Sequence, residues 1–354
     1  MIKVVTEQKV LLEFKDVWNS IFEKDNTATP FQQFEYTWLS LSLALSSKNN
    51  LYIIFVKDDT SNTWIAIFPF LKSHAGKLQF INMKHTDFCS HIVLPEFNNY
   101  NLYETVAKYL ISQKDIKAIK LDNITATNPL TAVFKSHFKY SICHDINYYS
   151  TIPIYTKVDD KDMIDSFRYV NAKQKRNLRK RRESTINCKF EICSKYKGKA
   201  YPKEIIESLT EQMINKGIRI KDYFSDTMLK FWENLYENGI LHIALIFNND
   251  KLHACNFMFY NKRQNEYIKW IVLYTEGTWN LTTNIKIAEY LYNNGGGKIN
   301  FARGIYDYKL VNFHPDVKPL FCVKIAKTKW GHFKNIISTA LHFSKPIIKS
   351  FLHR

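Results

Sequence analysis

The sequence predicts a mixed α/β protein of the α+β kind, in two domains that each carry a central mixed sheet flanked by helices. Three observations lead there. At 354 residues the chain is too long for one ordinary domain and comfortable for two. A hydrophobic fraction of 45% with 15% aromatics fills sizeable cores, and 10 glycines with 9 prolines leave little for coil linkers. Groups of β-branched and aromatic runs alternate with helix-periodic segments, and the order of those groups occurs twice.

A first helix is expected over 7–22, with Leu11, Leu12, Phe14, Trp18 and Phe22 at helical intervals. Thr29-Pro30 breaks the chain, and PFQQFEYTWLSLSLAL reads as an aromatic-rich helix. LYIIFVK, the turn DDTSNT and WIAIFPFLKS form a hairpin, because two strand-like runs flank turn residues. KLQFINM is a further strand, and the chain loops over 85–95. A helix over 102–112, the buried strand IKAIKLDNI, a short helix from Asn128-Pro129 and a strand over 150–155 close this half.

The second half opens on the basic helix RYVNAKQKRNLRKRRES, followed by amphipathic helices over 201–216 and 226–238. The strands ILHIALIF, KLHACNFMFY and EYIKWIVLY come next, then a helix from about 282 to 292. The turn Asn294-Gly295-Gly296-Gly297, the strand KINFARG and a final strand PLFCVKIAK complete it. Both halves therefore run helices, hairpin, strand, helix, strand, which suggests duplication of one unit despite negligible identity between them. The expected boundaries are 1–155, 156–332 and a basic amphipathic tail over 333–354.

The 50 basic and 33 acidic residues give a net charge of +17, a field that favours anionic partners: phosphates, nucleic acid or a membrane face. The start MIKVVTEQKVLLEF lacks the basic and apolar regions of a signal peptide, and no stretch approaches the roughly 20 apolar residues of a bilayer span. A soluble, cytoplasmic protein is expected, with the inner membrane face as an alternative placement. The six cysteines are scattered, and Cys188 with Cys193 lacks a second ligand pair, so reduced thiols without disulfide or zinc are expected.

Four constellations carry candidate chemistry. In Ile299-Asn300-Phe301-Ala302-Arg303-Gly304-Ile305-Tyr306-Asp307-Tyr308-Lys309 a buried strand ends at a glycine, and a loop then displays Asp307, Tyr308 and Lys309. Arginine and lysine at a strand end suit a phosphate or a developing negative charge, and an ordinary charged loop is the competing reading. In the long hairpin, polar His253, Asn256 and Lys269 interrupt apolar strands. His253 titrates in the range of a general base, although a solvent-facing position explains such residues equally well. The basic run 168–182 has no acid between Asp165 and Glu183 and could hold a nucleic-acid backbone, a carrier phosphate or a head group, or simply be a solvated face. The tail HFKNIISTALHFSKPIIKSFLHR has no acid; Pro346 interrupts it, and a helix packed on the body is the preferred reading, with a membrane surface as the alternative. Phosphate-loop, G-x-G-x-x-G, H-E-x-x-H and G-x-S-x-G patterns are absent, and no RNA-recognition motif occurs.

The segments TPFQQFEYTWLSLSLAL, AKQKRNLRKRRES, the long hairpin and NFARGIYDYKLVNF together resemble the CelD-like branch of the GNAT acetyltransferases, cousins of the FemAB aminoacyltransferases. The resemblance runs from about Thr29 to Lys327, most specifically in the R-G-x-x-x-Y-K element of Arg303, Gly304, Tyr308 and Lys309. The K-x-x-L-R-K element at 175–180 is a weaker marker. It implies two tandem GNAT-like domains with acyl transfer in the second. The implied donor is acyl-CoA, as acetyl-CoA or a longer chain, without a metal. An amine or hydroxyl of a sugar or lipid-linked envelope-polysaccharide intermediate would be the acceptor. His253, Asp307, Tyr308 and Lys309 are then catalytic candidates. Tyr274, Thr275, Gly277, Asn280 and Arg303 would bind the donor, and Lys175, Arg176, Arg179 and Lys180 an anionic substrate. Two departures stand out: Asn300 replaces a frequent acid, and TEGTWNLTTN replaces the glycine-rich pyrophosphate loop. They admit an acyl-carrier protein or an aminoacyl-tRNA as donor in the FemAB manner, and also a non-catalytic anion- or nucleic-acid-binding role; DNA is not expected, and peripheral membrane contact is left open.

Overall fold

Apolar runs buried on both faces build the strands of a mixed sheet, in a protein that the computed structural model describes over residues 1–354 except 46–48, 82–83, 158–161, 168, 220, 305 and 353–354. Arg168 and Ile305 of the candidate runs thus lie outside the described residues. One compact unit comprises 1–37, 44–146 and 319–354, the other 38–43 with 147–318. In chain order the elements are β1 (Ile2–Val5), α1 (Gln8–Glu13), α2 (Lys15–Lys24), α3 (Phe34–Ala44), β2 (Asn49–Lys57), β3 (Trp64–Ser73), β4 (Lys77–Phe80), β5 (Ile92–Val93), α4 (Tyr100–Ser112), β6 (Ala118–Thr125), α5 (Leu130–His137) and β7 (Tyr140–Ile154). There follow α6 (Ala172–Ser184), β8 (Lys189–Cys193), α7 (Lys203–Asn215), α8 (Asp226–Glu237), β9 (Leu241–Asn248), β10 (Lys251–Asn261), β11 (Glu266–Tyr274), α9 (Gly277–Asn293), β12 (Gly297–Arg303), α10 (Asp307–Phe313), β13 (Asp316–Ala326) and α11 (Lys329–Leu352).

In the first unit the strands run β1-β2-β3-β4-β6-β13, with β5 on β3. All neighbours are antiparallel except β4 and β6. In the second unit they run β8-β9-β10-β11-β12-β7, antiparallel except β11 and β12. Each parallel pair is joined through a helix, α4 in one and α9 in the other, as a crossover requires. The two units repeat strand for strand. The last strand in each order straddles a boundary of the chain: β13 begins in the second unit's run and ends in the first's, and β7 begins in the first's and ends in the second's.

Several elements differ from the sequence expectation. The helix expected over 7–22 is two, because Phe14 leaves helical geometry (φ −96°, ψ 7°) and packs its ring on Phe55 and Trp64. Helix α9 begins at Gly277 instead of 282. Thr282 and Thr283 are poor helix formers, but both are fully buried and turn their hydroxyls onto the carbonyls of Thr278 and Trp279. Asp307, Tyr308 and Lys309 open α10 and are not displayed on a loop. The interruption expected at Pro346 is absent, and α11 is continuous through that position. Strands β1 and β8, of 4 and 5 residues, are too short to stand out in sequence.

The core of the second unit includes Leu178, Ile192, Ala244, Met258, Ile299 and Phe313. It fixes α6 and α9 against the sheet, and that pairing positions the polar groups described next.

Candidate active site

β11 and β12 are paired over only three positions, Glu266 to Ile268 against Lys298 to Asn300. β11 then continues to Tyr274 and β12 to Arg303, so the parallel ladder stops while both strands run on. The cause lies in β12. Its register against β7 shifts between Asn300 and Arg303, and Ala302 adopts φ 53°, the left-handed region that L-residues rarely occupy. Buried Asn300 holds this bulge. Its Oδ1 accepts from the Ala302 amide at 2.8 Å, and its Nδ2 donates to Glu266 Oε1 at 3.3 Å. An acid is therefore present beside Asn300, supplied by the neighbouring strand, and burial pushes the Glu266 carboxyl up. Gly304 ends the segment at φ 100°, where a Cβ would lie 2.8 Å from the Tyr306 ring.

Where the ladder stops, four polar side chains gather inside the unit. Lys269 is the first β11 residue past the paired stretch and is 3% exposed. Its Nζ donates to Asn280 Oδ1 at 3.3 Å and to Asn284 Oδ1, both on α9. Lys309 is 4% exposed and donates from Nζ to the carbonyls of Phe301 and Gly304, each at 2.9 Å. Both ammonium positions sit near the Phe301 ring, at 5.7 and 5.9 Å from its centroid. Tyr308 hydrogen-bonds Asn280, yet burial outweighs that bond and pushes its phenol up to about 12. Burial first, and the neighbouring Lys309 second, hold Lys269 well below the ordinary lysine range. Its hydrogen-bond partners are amides and not carboxylates, so no countercharge restores it.

A second group surrounds the start of α9. The His253 ring stacks on Trp279 at 4.3 Å, and its Nδ1 lies 3.2 Å from Thr275 Oγ1. Arg181 covers Trp279 at 5.1 Å and donates from Nε to Thr282 Oγ1 at 2.7 Å, while its Nη2 is buried without a partner. Lys216 Nζ donates to the Thr275 carbonyl at 3.2 Å. Burial, then Lys251, lowers the His253 imidazole, which favours its neutral form.

The basic helix α6 starts on a capping box between Asn171 and Gln174. Leu178 anchors it in the core. Part of its charge is internally matched: Arg182 holds Asp162 through two bonds of 2.6 and 3.0 Å, and Arg179 reaches both Asp162 and Asp165. Lys175 donates to the Asp165 carbonyl at 3.0 Å. Arg176 and Lys180 remain on the exposed face.

The candidate residues thus fall into three places. Asn280, Tyr308 and Lys309 join Lys269 at the parted strands, with Asp307 exposed on the first turn of α10. His253, Thr275 and Gly277 lie at the start of α9, and Tyr274 ends β11 immediately before it. Arg303 ends β12 opposite Tyr149. Lys269 is a polar interruption in the sequence of its strand, but its partners Asn280 and Asn284 lie on α9, and nothing in the spacing announces them. Arg181 was hidden in a run of like charges. Among the described residues no group of three or more His, Cys, Asp or Glu side chains could hold a metal ion. All six cysteines are free thiols.

No protein-family profile and no curated protein sequence matches the chain. Solved structures match it in fold. FemX does so with a TM-score of 0.57 at 10% identity, over 92% of this chain and 98% of that one. L-PGS from Bacillus licheniformis matches with a TM-score of 0.56 at 9% identity, over 89% and 92%. The C-terminal DUF2156 domain of a protein designated a lysylphosphatidylglycerol synthetase, from Agrobacterium fabrum, matches with 0.56 at 8% identity, over 93% and 96%. At such identities the likeness establishes architecture: the chain has the GNAT-type fold of these proteins, a mixed α/β arrangement built in two units.

Proposed function

We propose that the chain is an acyltransferase that works in its second unit, at the point where β11 and β12 part. The observation that carries this reading is the set of buried Lys269, Asn280 and Lys309 with half-buried Tyr308, gathered where the ladder stops. Acyl transfer to an amine or hydroxyl needs a base for the nucleophile's proton and donors for the charge that grows on the carbonyl oxygen. A neutral Lys269 amine has two N–H groups, which Asn280 and Asn284 can accept, and a lone pair left over for that proton. Tyr308 stays protonated at physiological pH and supplies an O–H donor. Lys309 keeps the end of β12 in place through its two carbonyl bonds and adds positive charge nearby. His253 serves the start of α9 in this reading, and Asp307 is exposed on the first turn of α10.

The donor is tested against the start of α9. Its charge suits phosphate, because Arg181, Lys216 and the first-turn amides all lie there and Arg181 Nη2 has no partner. Its backbone suits it less well. Glu276 precedes the helix, and Trp279, between His253 and Arg181, stands where a glycine-rich turn would let a pyrophosphate approach. Acyl-CoA is the first donor proposed, with Arg181, Lys216 and Gly277 at its phosphates and its thioester supplying an activated carbonyl. The Glu276-to-Trp279 turn favours a second reading, an aminoacyl-tRNA donor in the FemAB manner, with the exposed Arg176 and Lys180 on the nucleic-acid backbone. The acceptor is a sugar or lipid-linked intermediate of envelope polysaccharide, as the CelD-like resemblance implies.

Thermal denaturation with acetyl-CoA, longer acyl-CoAs, free CoA and aminoacyl-tRNA discriminates these readings. A ligand at 100 times its Kd stabilises by about 2.7 kcal/mol. A shift that grows with acyl length supports the acyl-CoA reading, and a shift with aminoacyl-tRNA alone supports the second. No shift with any of them, and no transfer, would leave an anion-binding protein that has kept the fold.

A further inference from the structure

Helix α11 presents two unlike faces. One packs on its own unit. Gly331 lets the helix approach β13 closely, since a Cβ there would lie 2.9 Å from Ala326. Lys324 of β13 donates to Ser338 and Thr339 at 2.9 and 2.8 Å, and His332 lies against Tyr140 with ring centroids 5.5 Å apart. The opposite face is apolar and open. Trp330, Phe333, Ile337 and Leu341 are 64%, 50%, 44% and 56% exposed, and their spacing of three, seven and eleven residues aligns them in one stripe. Ile336 and Phe343 widen it on one side, both about half exposed. Scattered exposed apolar residues need no explanation, but a contiguous stripe of this size marks an interaction surface.

The charge around the stripe selects its occupant. After Asp316 the sequence has no Asp or Glu but seven lysines and one arginine, with Lys327 just before the helix and Lys329 and Lys334 at its beginning. Two copies of such a helix would pack their stripes only by bringing uncompensated cations together. A bilayer surface bearing anionic head groups meets both requirements, with acyl chains for the stripe and phosphates for the lysines. The beginning of the helix has the side-chain combination of an interfacial segment: Lys334 Nζ lies 5.3 Å from the Trp330 ring centroid, an indole beside an ammonium. Among the described residues no helix is long and apolar enough to cross a membrane, so this one would lie in the surface plane.

We propose that α11 docks the protein, through the stripe from Trp330 to Leu341, onto an anionic lipid surface. The docking is independent of the chemistry in the second unit. The test is flotation of the full chain with vesicles of phosphatidylcholine alone and of phosphatidylcholine containing phosphatidylglycerol. The expected result is binding to the anionic vesicles, weaker in high salt. Ile337→Glu with Leu341→Glu should reduce it more than about tenfold, since two apolar side chains leave the acyl region. Lys334→Gln should reduce it about fivefold, the worth of one basic residue near such a surface. Because these side chains are exposed, the melting temperature should not move, which separates lost docking from lost folding. Full binding by the double variant would overturn the proposal, and so would failure of the unmodified chain to bind anionic vesicles. A dimer in light scattering that the double variant dissolves would overturn it in favour of a second copy of the chain.

Discussion

Replacing Lys269 with methionine should change how stability depends on pH more than stability itself. In the folded chain burial and then Lys309 hold this amine well below the ordinary lysine range, whereas the unfolded chain carries a lysine titrating near about 10.4. Between those two values the unfolded state binds more protons than the folded state, so stability rises with pH across the window. One proton contributes a slope of about 1.4 kcal/mol per pH unit. Within that window the unmodified protein should therefore gain stability with rising pH that the variant lacks. The intercept is less informative. Methionine removes a buried amine that is costly to charge, but it also deprives the Asn280 and Asn284 oxygens of a donor, a loss of about 1–3 kcal/mol for each buried acceptor left unpaired. Urea denaturation of both proteins at several pH values measures the slope directly. Lys309 keeps its two carbonyl partners in the variant, so the difference between curves isolates Lys269. Parallel curves would mean that Lys269 is an ordinary ammonium, and the base assigned to it would have to be found elsewhere.

Three further outcomes are expected. Tyr308→Phe should lower kcat about a hundredfold, the usual loss on removing one oxyanion donor, with the fold retained by circular dichroism; unchanged turnover would remove Tyr308 from the reaction. Gly304→Ala should cost about 1–3 kcal/mol in chemical denaturation, because it forces a side chain into φ 100° and against the Tyr306 ring. Lys309→Ala should destabilise as well as inactivate, since it strips a donor from the carbonyls of Phe301 and Gly304, whereas Arg303→Ala should lower transfer with little change in melting temperature.

The architecture was legible because it rests on patterns with a fixed period. The hairpin strands β2 and β3 are buried on both faces and read as continuous apolar runs, and the same holds for β9 through β11. The start of α9 was not legible, because Gly277, Thr278 and Asn280 favour turns locally and only burial of Thr282 and Thr283 overrides them. The site was half legible. Tyr308 and Lys309 were marked by the Arg-Gly element, but the groups that complete them, Asn284 and the Glu266 carboxyl beside Asn300, come from another helix and another strand. The basic run of α6 shows the opposite failure. Its charge suggested a binding surface throughout, and nothing in the spacing announced that Arg179 and Arg182 are committed to Asp162.

The structural repeat separates features of the site that belong to the fold from those that belong to its proposed chemistry. In the first unit the parallel pair β4 and β6 is also joined only briefly, Lys77 and Leu78 against Ala118 and Ile119, and β6 also runs on beyond it. That strand bulges as β12 does: its register against β13 shifts between Phe321 and Val323, and Asn123 takes φ 58° where β12 has Ala302 at φ 53°. The bulge is thus a property of the repeated architecture and cannot by itself mark an active site. What differs is what the bulge faces. Asn123 donates to the Thr86 carbonyl at 3.0 Å and its own carbonyl accepts from the Cys89 amide, so it is tied to a buried loop. In the second unit the corresponding region has Lys269, Asn280, Tyr308 and Lys309. Substitutions at Asn123 should therefore lower stability while kcat is kept, and substitutions at Tyr308 should do the reverse. Loss of transfer at constant stability in Asn123→Ala would place chemistry in the first unit and overturn the assignment.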